Sequence, residues 1–181
     1  LEEVDQMKRI VEDLLLLFRF DVNQVILEKK KVDLKKLLTN STDRMRSYAK
    51  SKNVSLELSS KPEILVWGDA FLLQQAYRNI LKNAIEYSHA HGIVNIKLTK
   101  SDREVRIEVN NQGIRIPNDK IDHLFERFYR TEKSRNKRRE GTGLGLSIAK
   151  QIVEKHAGTI GIISTPQNGT TVSILLPRLI N

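Results

Sequence analysis

The run GTGLGLSIAK, Gly141 to Lys150, places three glycines at alternate positions and opens at once into an apolar-periodic helix. Glycine lets the main chain approach a ligand closely, so bare backbone N–H groups and the helix N-terminus can face an anion there. The run follows a basic stretch instead of a strand and lacks the third-glycine spacing, which excludes a dinucleotide fingerprint. No Gly-Lys-Ser/Thr closes it, which excludes a Walker A loop. A flexible hinge ahead of a helix is the other reading the run allows.

The segments around it mix helices and strands without strict alternation. Residues 1 to 19 place Val4, Met7, Val11, Leu14 and Phe18 at coiled-coil spacing, a seam for other helices or for the chain's own body. A Lys-rich connection (Glu28 to Lys31) precedes Asp33, which caps a helix to about Lys50. Short strands are expected at 53–58 and 64–67, and Asp69 caps a helix to about Ser88. Strands follow near 92–99 and 103–110, and Pro117 opens a short helix to Glu126. The basic segment Arg127 to Glu140 has no periodicity. A helix from about Leu144 to Ala157 stops at Gly158 as its C-terminal glycine, and strands at 159–164 and 170–176 flank an Asn168-Gly169 turn. The fold class expected is α+β, a two-layer sandwich with helices on one face of a mixed sheet and a coiled-coil-like helix at the N-terminus.

Composition narrows the chemistry. The absence of Cys removes disulfides, thiolate metal sites and Cys nucleophiles, and four His alone make a structural zinc site a poor fit. The longest apolar run, Leu14 to Phe18, falls far short of the roughly 20 residues of a bilayer span, so this piece reads as soluble. Its first residue already lies inside a helical pattern, so the chain reads as a fragment. A formal charge of +9 invites nucleic acid, but the aromatic residues do not interleave with the basic clusters as stacking readers require.

A second constellation lies in Asp69 to Tyr87. Leu73, Ala76, Ile80 and Ala84 form an apolar stripe, and Gln75, Asn79 and Asn83 recur every four residues beside it. Carboxamides one turn apart can ligate a hard cation through oxygen and hydrogen-bond phosphates without repelling them; a solvated helix face is the alternative. A third constellation is LFERFYRTEKSR, residues 124 to 135.

Together these motifs resemble the catalytic, ATP-binding part of bacterial two-component sensor histidine kinases. Asn79 to Asn83 matches the N box, Phe125 to Arg130 the F box, Gly141 to Gly145 the second glycine box, and EVNNQGIRIP (108–117) falls where the first glycine box belongs. The resemblance implies a Bergerat-type ATP fold over residues 23–181, with residues 1–22 as the second helix of the dimerisation and phosphotransfer hairpin. It implies ATP and Mg²⁺ as cofactors, Asn83 as the Mg²⁺ ligand and Asn79 in support. Tyr87 would stack on the base, with Asn111, Gly113, Ile116 and Phe128 among the binding positions. Arg127 and Arg130 would approach the terminal phosphates, while Gly141, Thr142, Gly143, Leu144 and Gly145 close over them. The lid basics (Arg127, Arg130, Lys133, Arg135, Lys137, Arg138, Arg139) then serve polyphosphate, which weakens the case for nucleic acid. The implied partners are a response regulator, a hairpin helix carrying the acceptor His and a second copy of the chain; the implied location is the cytoplasmic side of a membrane-anchored sensor. Gyrase- and Hsp90-like relatives that hydrolyse ATP carry a Glu base where this chain has Asn79, and an amide cannot deprotonate water.

Three departures from the pattern stand out. Asn111 falls on the Asp that, in the family, accepts from the adenine amino group, Arg115 falls on a Gly, and Glu86 replaces a basic residue. Arg115 would cost about 1–2 kcal/mol if its φ had to be positive. None of His89, His91, His123 and His156 lies in the hairpin's first helix, where the resemblance puts the acceptor, and all four read as surface or core imidazoles, so this polypeptide should not phosphorylate itself. The departures also motivate a second reading, a degenerate nucleotide module acting as a scaffold or in phosphatase signalling.

Overall fold

The computed structural model describes residues 2–60, 64–130 and 141–179. The elements are α1 (Glu2–Asp21), β1 (Lys30–Asp33), α2 (Leu34–Ser51), β2 (Ser55–Ser60), β3 (Leu65–Gly68), α3 (Ala70–Tyr87), β4 (Ile93–Lys100), β5 (Glu104–Asn111), α4 (Asn118–Ile121), a 3₁₀ turn (Asp122–Phe125), α5 (Gly145–Lys155), β6 (Thr159–Thr165) and β7 (Gly169–Pro177). Of the lid basics, Lys133, Arg135, Lys137, Arg138 and Arg139 lie outside the described residues.

A five-stranded sheet in the order β2-β4-β5-β7-β6 carries the fold, with β2 parallel to β4 and the other neighbours antiparallel. Alternation sets its two faces. Val94, Ile96 and Leu98 of β4, Val105, Ile107 and Val109 of β5, and Val172, Ile174 and Leu176 of β7 all turn inward. Burying one such side chain is worth about 1.5–3 kcal/mol, so a one-residue slip that turned them all outward is heavily disfavoured. Leu72, Leu73, Ala76, Ile80 and Ile85 of α3 and Ile148, Ile152 and Val153 of α5 close the core from the helical side.

Caps set the helix limits. Asp33 accepts from Lys36 N at 3.1 Å, and Asp69 accepts from Phe71 N and Leu72 N, both at 3.1 Å, as their sequence positions predict. The end of α5 differs from expectation. Ala157, at φ 57°, takes the left-handed position, with Ala157 N–H on Glu154 O and Gly158 N–H on Val153 O, each at 2.9 Å. Gly158 is required for another reason: a Cβ there would lie 2.4 Å from the Leu175 carbonyl oxygen.

Two further differences concern strands. Lys30 and Lys31, expected in a connection, begin a strand that runs to the capping residue Asp33, because Val32 is buried and the segment pairs antiparallel with β3, Val32 opposite Val66. The expected Asn168-Gly169 turn is wider, since Gly169 already pairs with Thr165 and leaves three residues in the loop. In α1, Val4, Met7, Val11, Leu14 and Phe18 are all exposed, whereas Leu17 and Phe20 are buried in the same core as α3 and α5. Among the described residues no helix is long and apolar enough to cross a membrane.

Candidate functional site

A cleft of about 1620 Å³ opens along α3, bounded by the middle of α1 (Gln6 to Leu16), the end of β5, the segment 114–117, and the loop that leads into α5. The stripe that buries Leu73, Ala76, Ile80 and Ala84 rotates the neighbouring face of α3 toward this space. Asn79 and Asn83 therefore line it, half-buried and one turn apart. The Asn79 amide nitrogen donates to Gly145 O at 3.2 Å, tying α3 to the start of α5. Asn79 thus supports the glycine loop directly, and its carbonyl oxygen is the atom that bond does not use.

The loop itself needs glycine at one place above all. Gly143 has φ +73°, and its carbonyl accepts from Phe128 N–H at 3.0 Å; a Cβ there would sit 2.7 Å from the Phe128 carbonyl carbon. Phe128 takes a left-handed φ of 63° to make this contact, an uncommon conformation for an aromatic residue. The F region and the glycine loop are therefore joined through backbone. Thr142 caps inward, accepting from Leu144 N–H at 3.2 Å, and Leu144 is fully buried.

At the other end of the cleft, β5 delivers Asn111, which is 5% exposed and held in register between Val94 and Thr170. Gly113 bridges to Ser88 at the end of α3, so close that a Cβ would lie 2.0 Å from Tyr87 O. Ile116 N–H donates to Ser164 Oγ at 3.0 Å, and the Ser164 and Thr170 hydroxyls bond each other at 2.8 Å. Thr170 lines the cleft. Sequence reasoning missed Ser164 and Thr170; the one available signal was a hydroxyl at an inward-facing position of each strand.

Of the expected site residues, Asn79, Asn83, Tyr87, Asn111, Ile116, Arg130, Gly141, Thr142, Gly143 and Gly145 line one cleft. Gly113, Arg127, Phe128 and Leu144 do not line it; Gly113 and Leu144 shape it from behind. Arg127 turns to α1, where its guanidinium grips both Asp21 carboxylate oxygens at 2.8 and 2.5 Å. That fork holds the Asp21 carboxyl below its ordinary range and pushes Arg127 up. Asp13, on the α1 wall of the cleft, is shifted the other way: burial raises it, against the pull of nearby Arg78.

The departures also find places. Arg115 is exposed at the cleft edge without a positive φ, so the strain a side chain there could have brought does not arise. Glu86 is turned toward α2, accepting from the Tyr48 hydroxyl at 2.8 Å with Lys82 Nζ at 3.6 Å, so its charge is compensated within the protein. His156 is a core imidazole. Its Nε2 accepts from Asp69 N–H at 2.9 Å, so Nδ1 carries the proton and donates to Ile152 O at 2.7 Å.

The cleft thus brings the Asn79 and Asn83 amides, the glycine loop and Arg130 together with the apolar side chains of Ile114, Ile116, Ile162 and Val172 and the buried Asn111. Residues 68–180 match the family described as histidine kinase-, DNA gyrase B-, and HSP90-like ATPase. The chain belongs to this family. Among relatives of this ATPase domain, the sensor histidine kinase CusS of Escherichia coli O157:H7 is 36% identical over 178 residues, 98% of this chain and 36% of CusS. The chain spans about a third of the length of the curated relatives it matches. The mycobacterial sensor histidine kinase MprB matches with a TM-score of 0.73 and 30% identity, over 83% of this chain and 97% of MprB's. Histidine kinase ThkA, solved in complex with the response regulator protein TrrA, shares the fold at 23% identity (TM-score 0.79, 98% of this chain and 49% of ThkA's). The α+β sandwich expected from the element pattern is the fold of these ATPase domains, and the relatives place the chain on the sensor-kinase side of the family.

Proposed function

We propose that the chain binds ATP with Mg²⁺ in this cleft and directs the γ-phosphoryl group to a histidine on a helix outside the chain, for relay to an aspartate of a response regulator. The observation that carries the proposal is that Asn79, Asn83, Arg130 and the glycine loop line one cleft, with Asn79 bonded to Gly145 at the start of α5.

The residues fit the ion. Among the described residues no cluster of three or more His, Cys, Asp or Glu side chains could cage a metal. A lone carboxamide oxygen suits Mg²⁺, which keeps waters and takes its remaining ligands from substrate phosphates. Asn83 would hold it, and the ion when bound would neutralise charge on the phosphates. Asn79 fixes α3 to the loop, so that the amide oxygens and the N-terminal N–H groups of α5 would serve the same phosphates. Arg130, which lines the cleft, would add a cation for the phosphates. Asn79, an amide, takes no proton from water, whereas a neutral imidazole needs no base to attack phosphorus. The arrangement therefore favours transfer to His over hydrolysis, and a degenerate, non-binding module is the less favoured reading.

In this account residues 1–22 belong to a hairpin and residues 23–181 to the catalytic module. The exposed stripe from Val4 to Phe18 packs against the hairpin's other helix and a second copy, on the cytoplasmic side of a membrane sensor. The test uses γ-labelled ATP and a polypeptide extended at its N-terminus by the preceding helix. We expect acid-labile label on a histidine of that helix, lost in Asn83→Ala. Release of the label as free phosphate, with none on protein, would contradict the proposal.

A further inference from the structure

A second, smaller cavity of about 220 Å³ lies where β3, the start of α3, the C-terminal end of α5 and the end of β7 meet, and it shares no lining residue with the cleft. Its floor is apolar, formed by the buried Val66, Leu73 and Leu176. Trp67, the only Trp in the chain, lines it and is 53% exposed. The walls are fixed before any ligand arrives. Arg178 N–H donates to Arg103 O at 2.9 Å and Leu179 N–H to Leu65 O at 3.3 Å, while Trp67 is held in the β1–β3 ladder opposite Lys31. His156 presents a neutral ring to the cavity, because both its nitrogens are taken, by Asp69 N–H and Ile152 O.

The charge around the cavity has one sign. No Asp or Glu lines it, whereas Lys29 and Arg178 do. Lys29 makes no ion pair with any described residue, yet it stands close enough to lower the proton affinity of His156. The nearby Asp69 carboxylate is already engaged, accepting from Glu28 N–H and from the first N–H groups of α3. Arg178 donates to Ser101 O at 3.1 Å, a neutral acceptor that leaves its charge unmatched. An apolar floor does not suit a bare hydrated anion, and unmatched cations do not suit a neutral hydrocarbon. A cavity of roughly 150 Å³ takes a benzene ring, and pockets for larger ligands run to roughly 300–1,000 Å³, so the space here suits one ring with a short charged substituent.

We propose that this cavity is a binding site for a small aromatic monocarboxylate, its ring beside Trp67 on the apolar floor and its carboxylate toward Lys29 and Arg178. The inference does not depend on the nucleotide reading of the cleft.

The test is a titration of the isotope-labelled chain with benzoate, followed by NMR. A single Trp gives a single indole N–H signal, so the reporter is unambiguous. We expect that signal and the amides of Val66, Ala157 and Leu179 to move together and saturate, half-way at about 1 mM or below. Benzyl alcohol keeps the ring without the charge, and acetate the charge without the ring; each should bind about tenfold more weakly than benzoate or worse. Lys29→Gln, a change at an exposed position, should weaken benzoate about threefold or more with the rest of the spectrum in place. No saturating movement of the indole signal overturns the inference, and so does movement confined to amides of the cleft such as Asn83 and Gly145. Benzyl alcohol or acetate binding as tightly as benzoate, or an unchanged benzoate affinity in Lys29→Gln, overturns it equally.

Discussion

Tyr77 shows how single polar atoms hold the cleft-bearing helix in place. Its ring is 1% exposed, and its hydroxyl bonds the buried Thr42 Oγ1 at 2.6 Å, linking α3 to α2. Burial pushes the phenol up to about 12, only partly offset by the Thr42 bond, so it stays protonated throughout the working range. Tyr77→Phe should therefore cost about 1–3 kcal/mol in chemical denaturation, because Thr42 is left buried without its partner. An unchanged midpoint would mean that the pair contributes nothing. Residue chemistry was legible in the sequence where spacing displayed it: Asn79 and Asn83 fall one turn apart, and both reach the cleft. It was not legible where the partner is distant in sequence. Arg127 meets Asp21 more than a hundred residues away, and Asn79 spends its amide nitrogen on Gly145, contacts that no local pattern encodes.

At the scale of elements, two attachments to α3 and α1 stand out. His156, at the C-terminus of α5, holds the N-terminus of α3 by accepting from Asp69 N–H. Burial lowers its proton affinity, with Lys29 acting in the same direction and the Ile152 bond and Asp69 opposing. A folded-state pKa below 6.5 means that the unfolded chain binds the extra proton first. This contribution is thus complete above about pH 6.5 and is lost as pH falls from there through the folded value. The melting temperature should fall between pH 7.5 and 5.5, and His156→Gln should flatten that slope; an equal slope in the variant would rule His156 out as its source. The second attachment is the Asp21–Arg127 fork, which joins the last turn of α1 to the F region. If Arg127 also serves the phosphates, Asp21→Asn should free it and tighten ATP binding several-fold in a titration. Unchanged affinity would confine Arg127 to holding α1. Most helices could be read from their caps and stripes, but β1 could not. Only Val32 of its four residues is buried, and its identity as a strand comes from β3 lying alongside.

For the molecule as a whole, the mixed sheet, the helical layer and the cleft between them follow from alternating strands and two amphipathic helices, so the α+β class was visible in the pattern. Helix α1 contributes Leu17 and Phe20 to the common core while leaving its heptad seam exposed. One helix thus buries one face in the core of the ATPase domain and leaves the other exposed. The central claim is that the cleft between these layers is a working nucleotide site despite Asn111, Arg115 and Glu86. The most direct measurement is a calorimetric titration of the chain with a non-hydrolysable ATP analogue, with and without Mg²⁺. The account predicts saturable binding at micromolar concentrations that strengthens with Mg²⁺ and is lost in Asn83→Ala. No heat of binding under either condition would contradict it.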